Sequence, residues 1–77
     1  MVLSELAVGA SACITGYCTA HTVYRHKLLS LGLTRGTTLV LERKAPLGDP
    51  LQIRLRGFSL SLRKEEAQMI CIELKSL

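Results

Sequence analysis

Seventy-seven residues, 48% of them hydrophobic, are enough for one small domain spanning 1–77 and too few for a second. Ten Lys and Arg against six Asp and Glu give a net charge of +4, which favours acidic partners and also serves ordinary solubility. The cations are dispersed, from Arg25 to Lys75, with no run of five, so no basic tail is expected.

The N-terminus, Met1-Val2-Leu3-Ser4-Glu5-Leu6, carries an early acid and no basic n-region, unlike a signal peptide. No apolar stretch approaches the roughly 20 residues that cross a bilayer, so direct membrane insertion is not expected. Three cysteines, Cys13, Cys18 and Cys71, form an odd set. Without an export signal, that set predicts free thiols in a reducing, cytoplasmic compartment.

Val8-Gly9 closes a short N-terminal piece, and residues 12–18 read as a first strand. Thr22 is placed to cap a helix over 23–31, on which Tyr24, Leu28 and Leu31 share one apolar face. Gly32 falls where a left-handed residue ends a helix, with Leu33 packing back on Leu28. A turn at Thr34-Arg35-Gly36-Thr37 leads into a second strand over 38–44. Ala45-Pro46-Leu47-Gly48-Asp49-Pro50 is a rigid loop.

Leu51, Ile53 and Leu55 alternate with polar residues, as do Phe58, Leu60 and Leu62, and Gly57 between them marks a tight hairpin. Arg63 to Ala67 fits one helical turn. A last strand over 69–74 turns Ile70, Ile72 and Leu74 inward. The result is a mainly β chain, a small five-stranded SH3-like barrel with a short helix in its first long loop. Closure into a barrel removes the exposed edges that endanger a small β domain.

Chemistry-bearing motifs are few. Neither G-x-x-x-x-G-K-[ST] nor G-x-G-x-x-G occurs, so no nucleotide cofactor is expected. Cys18, His21 and His26 are weak candidates for a metal, because a structural zinc site takes four ligands and Cys13 points to the opposite face of its strand. The blander account is a half-buried thiol beside two solvated imidazoles. No oxyanion device or orienting acid accompanies a cysteine nucleophile, so no catalytic residue is assigned and no enzyme is expected.

Glu65-Glu66 read as a solvated pair, since neighbours on a helix do not face each other. Asp49 is explained by its turn. Single-strand nucleic-acid binding needs aromatic platforms. Only Tyr17, Tyr24 and Phe58 are available, and the pattern places Tyr24 and Phe58 in the core. Leu29 lies off the apolar face, between Arg25 and His26. It is either an interface anchor rimmed by cations or a residue covered by the rest of the domain.

Tyr24-Arg25-His26-Lys27-Leu28-Leu29-Ser30-Leu31-Gly32-Leu33, Arg35-Gly36, Ala45-Pro46-Leu47-Gly48-Asp49-Pro50 and Leu60-Ser61-Leu62-Arg63-Lys64 together closely resemble the ferrous iron transport protein A (FeoA) family. The resemblance covers nearly the whole chain. It implies an SH3-like accessory protein of bacterial ferrous iron uptake. Its implied partner is the membrane ferrous iron transporter with a cytosolic GTPase domain, ferrous iron transport protein B, bound from the inner face of the inner membrane.

The resemblance carries over no catalytic or iron-ligating residue. The expected partner surface is the 19–37 excursion, with Arg25, Leu29 and Arg35 as contacts and Leu47 on the neighbouring loop. The expected state is a cytoplasmic monomer that binds no nucleic acid. The alternative is a small basic β-barrel that binds nucleic acid or metal.

Overall fold

The computed structural model describes residues 1–18 and 22–75. Five strands form one antiparallel sheet: β1 (Ser11–Tyr17), β2 (Thr38–Lys44), β3 (Leu51–Leu55), β4 (Phe58–Leu62) and β5 (Ile70–Leu74), in the order β4-β3-β2-β1-β5. Two helices accompany them, α1 (Thr22–Ser30) between β1 and β2, and the single turn α2 (Lys64–Ala67) between β4 and β5. This is the expected mainly β plan, with α1 carried in the first long excursion. Thr22, expected to cap a helix over 23–31 from outside, is instead the first residue of α1, which starts and ends one residue earlier than expected.

Local chemistry explains the connections. At the end of α1 the Gly32 N–H donates to the Leu29 carbonyl at 3.0 Å and the Leu33 N–H to the Leu28 carbonyl at 3.2 Å, with Gly32 at φ +93°. Those two bonds make a Schellman ending, and Leu33 and Leu28 are both fully buried against each other's side of the core. The β3–β4 hairpin pairs Leu55 with Phe58 around Arg56-Gly57, both at positive φ, as a two-residue I′ turn requires.

Alternation fills the core. Leu51, Ile53 and Leu55 on β3 are buried, as are Leu39 and Leu41 on β2, Ala12 and Ile14 on β1, and Ile70 and Ile72 on β5. Each fully buried Leu or Ile contributes about 1.5–3 kcal/mol of transfer free energy.

A contribution not expected from the pattern comes from a 3-10 turn at Leu3–Glu5, which buries Leu3 and then Leu6. Ahead of it the Met1 carbonyl accepts from the Ile72 N–H at 2.8 Å and Val2 bridges Cys71. The free side of β5 is thereby partly covered, which protects a sheet edge.

Three apolar assignments differ from expectation. Tyr24 and Phe58 are 36% and 46% exposed, and Leu74 is 55% exposed. Tyr24 stands at the first turn of α1, ahead of the point where Leu28 and Leu31 reach the core. Phe58 and Leu74 occupy strand ends, where periodicity persists after the opposing layer has stopped.

Glu66 differs the other way. It is buried, its Oε2 accepts from Lys27 Nζ at 2.8 Å, and its Oε1 accepts from the Arg63 backbone N–H at 2.9 Å. The capping role of a carboxylate three residues into a helix overrides the solvated placement expected for it.

Candidate functional site

β1 does not run evenly along β5. Its register passes from Ile14–Ile72 to Gly16–Cys71, leaving Thr15 as the extra residue of a bulge. The Thr15 carbonyl accepts from Arg35 Nε at 2.7 Å, which holds that guanidinium over the end of β1. Arg35 itself is placed by the Thr34–Thr37 turn, closed by the Thr37 N–H to the Thr34 carbonyl at 3.1 Å, with Gly36 at φ +90°. One residue beyond the bulge, the Tyr17 hydroxyl donates to the Leu33 carbonyl. Burial raises the Tyr17 pKa, and the opposing pull comes from the positive charge of Arg25 nearby.

Together these elements enclose a cleft of about 560 Å³, lined by Thr15, Gly16, Tyr17, Arg25, Leu29, Arg35 and Cys71. Leu29 is half-buried there, while Arg25 and Arg35 are exposed. Neither arginine makes an ion pair among the described residues, and no acid lines the cleft. Adding a Cβ at Gly16 would meet nothing within 4 Å, so the floor beneath the arginines is open.

The other flank of α1 borders a cleft of similar size, about 530 Å³, lined by Lys27, Pro50, Ser61, Leu62, Arg63 and Glu66. One of its two cations, Lys27, is paired with Glu66, while Arg63 offers its backbone N–H to the same carboxylate. The hydrogen bond and charge of Glu66 raise the Lys27 pKa. Burial alone would raise Glu66, but its bonds to Lys27 and to the Arg63 backbone outweigh that and lower it.

Arg25, Leu29 and Arg35, expected as partner contacts, thus meet in one cleft. Leu47 is 89% exposed on the β2–β3 loop and is not part of that lining. The metal candidates do not assemble. Cys18 is joined in a disulfide to Cys71, His26 is exposed on α1, and His21 lies outside the described residues. No group of three or more His, Cys, Asp or Glu able to hold a metal occurs among the described residues.

Free thiols are therefore found only at Cys13, and the expectation of three is corrected. The cause is register. Gly16 and Tyr17 pair with Cys71 and Ile70, and the Cys18 N–H donates to the Met69 carbonyl at 2.8 Å. That alignment sets the Cα atoms of Cys18 and Cys71 5.8 Å apart, within disulfide range. Thr15, Gly16, Tyr17 and Cys71 were not singled out from the sequence. The one available signal was a glycine inside a strand pattern, which often marks a bulge.

The exposed Tyr24 and Phe58 remove one argument against nucleic acid. Neither is part of the lining of the arginine cleft, where the aromatic residue is Tyr17. No helix among the described residues is long and apolar enough to cross a membrane.

The FeoA domain family pattern matches residues 1–74. A Porphyromonas gingivalis fusion of Fe(2+) transport protein A with the Fe(2+) transporter FeoB is 38% identical over 76 residues, 99% of this chain. The chain spans only 9% of that curated relative's length. The solution structure of an FeoA-like protein from Clostridium acetobutylicum is 42% identical with TM-score 0.87, covering 96% of this chain and 85% of the other. Stenotrophomonas maltophilia FeoA, crystallised with zinc and described as a prokaryotic SH3 domain protein, is 28% identical with TM-score 0.81, covering 95% and 89%.

Proposed function

This chain belongs to the FeoA domain family, which is associated with ferrous iron transport, and from that membership we propose that it is a non-catalytic accessory domain. It docks through the Arg25–Leu29–Arg35 cleft onto an acidic patch of the cytosolic, GTPase-bearing region of a ferrous iron transporter. It does so as a monomer of one domain, at the cytoplasmic face of the membrane, without binding nucleic acid.

The observation that carries this reading is the charge imbalance of the cleft. Two arginines without acidic partners among the described residues flank a half-buried leucine, and none of the described lining residues is an acid. An apolar anchor with a cationic rim matches a partner surface that presents an apolar side chain beside carboxylates. The P. gingivalis relative supports the choice of partner, since in it a homologous domain is covalently joined to FeoB. α1 with the Thr34–Thr37 turn presents a contact surface on a rigid sheet.

The test is affinity capture of the detergent-solubilised transporter by the tagged chain. Wild type is expected to retain it, and Leu29→Gln to lose it while keeping a cooperative unfolding transition. Undiminished capture by a folded Leu29→Gln protein removes this cleft from the interface.

A further inference from the structure

Cys71 lines the arginine cleft, and Cys18 is the last described residue before the excursion that carries Arg25 and Leu29. Their bond therefore ties the residue that follows β1 to β5 at the edge of the cleft. Cys18 is exposed and Cys71 is partly so, which leaves a soluble reagent access to the sulfur pair. Cys13, the third cysteine, lines a separate depression with Glu73, Leu74 and Lys75. The core of leucines and isoleucines is closed without any contribution from the pair. These features fit a bond that is made and broken on a folded domain, unlike the buried staples of small secreted proteins.

We infer that Cys18 and Cys71 form a reversible thiol–disulfide site, and that its oxidation state sets the order of the docking cleft. The oxidant is a low-molecular-weight disulfide such as glutathione disulfide. The Cys18 thiolate attacks one sulfur of the reagent and expels a glutathione thiolate. The Cys71 thiolate then displaces the second glutathione from Cys18. Two protein thiols lose two electrons and two protons, and one glutathione disulfide becomes two glutathiones. The oxidised state holds the end of β1 against β5 beside the cleft floor at Gly16 and preorganises Arg25 and Leu29. Reduction releases that restraint. The consequence for docking rests on the reading given above, whereas the sulfur chemistry and the order of the cleft do not.

The test uses the full chain in buffers of increasing glutathione disulfide. Samples are quenched in acid, alkylated with N-ethylmaleimide and weighed intact. Reduced protein should take three alkyl groups. Oxidised protein should take one, at Cys13, with a Cys18–Cys71 crosslink in the peptide map, and Cys13→Ser should leave that crosslink intact. Amide hydrogen exchange of both forms provides the second readout. Protection across α1 should fall by about tenfold on reduction, and Cys18→Ser and Cys71→Ser should each reproduce the reduced pattern. Three reactive thiols at every redox poise, or stable glutathione adducts in place of the crosslink, would overturn the site. Equal protection of α1 in both forms would overturn its control of the cleft. Loss of transporter capture in both forms, with the crosslink and the protection change present, would instead count against the docking reading alone.

Discussion

The two flanks of α1 border clefts of nearly equal size, about 560 and 530 Å³, each with two cations, but only the second also holds an acid. On one flank Lys27 reaches Glu66, and Glu66 in turn accepts from the start of α2, so the helix is tied to the chain leading into β5. On the other, Arg25 and Arg35 face a cleft that holds no acid. Volume does not distinguish the two flanks, but charge pairing does. A paired buried carboxylate holds structure together, while Arg25 and Arg35, with no ion pair among the described residues, fit the proposed docking surface. Changes on the paired flank should therefore cost stability and spare docking, and changes on the open flank should do the reverse.

The largest expected effect lies on the ridge between the flanks. Leu28 is fully buried and anchors α1. Leu28→Ala should destabilise by about 2–5 kcal/mol in urea unfolding, with loss of docking as a consequence. A smaller cost would mean that α1 is held by its flanks alone.

Next comes Glu66→Ala, which strips the Lys27 partner and the Arg63 cap together. It should cost about 1–3 kcal/mol while docking of the remaining folded protein persists. Lost docking at unchanged stability would reverse the roles of the flanks.

The same carboxylate gives a pH dependence. Its pKa is lowered from the ordinary value of 4.5, so its contribution is present above 4.5 and is lost as pH falls through the lower folded value. Stability measured across that acid range should fall less steeply in Glu66→Gln than in wild type. Parallel slopes would assign the acid sensitivity elsewhere.

The smallest effect on stability should come from Gly16→Ala, within about 0.5 kcal/mol, because the site is open and its φ is not in the left-handed region. It should nonetheless weaken docking by narrowing the cleft floor.

The sequence carried the sheet well and the cleft unevenly. Alternation at Leu51–Leu55 and the helix ending at Gly32-Leu33 were legible because each depends on residues near in sequence. Tyr24, Phe58 and Leu74 were misplaced because periodicity does not report where the opposing layer ends. Arg25, Leu29 and Arg35 could be chosen from the excursion, but their meeting with Thr15 and Gly16 depends on a bulge that only the β1–β5 register defines. The same register joins Cys18 to Cys71 across 53 residues, a pairing that an odd cysteine count argues against. Glu66 looked solvated because its two partners, Lys27 and the Arg63 backbone, become visible only when α1 and α2 are side by side.

The most direct test of the account is calorimetric titration of the transporter's cytosolic GTPase-bearing region with three forms of this chain. The double variant Arg25→Ala/Arg35→Ala should bind at least about tenfold more weakly than wild type, a loss of about 1.4 kcal/mol, and its salt dependence should be shallower. Arg63→Ala, on the paired flank, should bind within about twofold of wild type. Equal binding by wild type and the double variant, or a loss confined to Arg63→Ala, would contradict the assignment of the open flank as the docking surface.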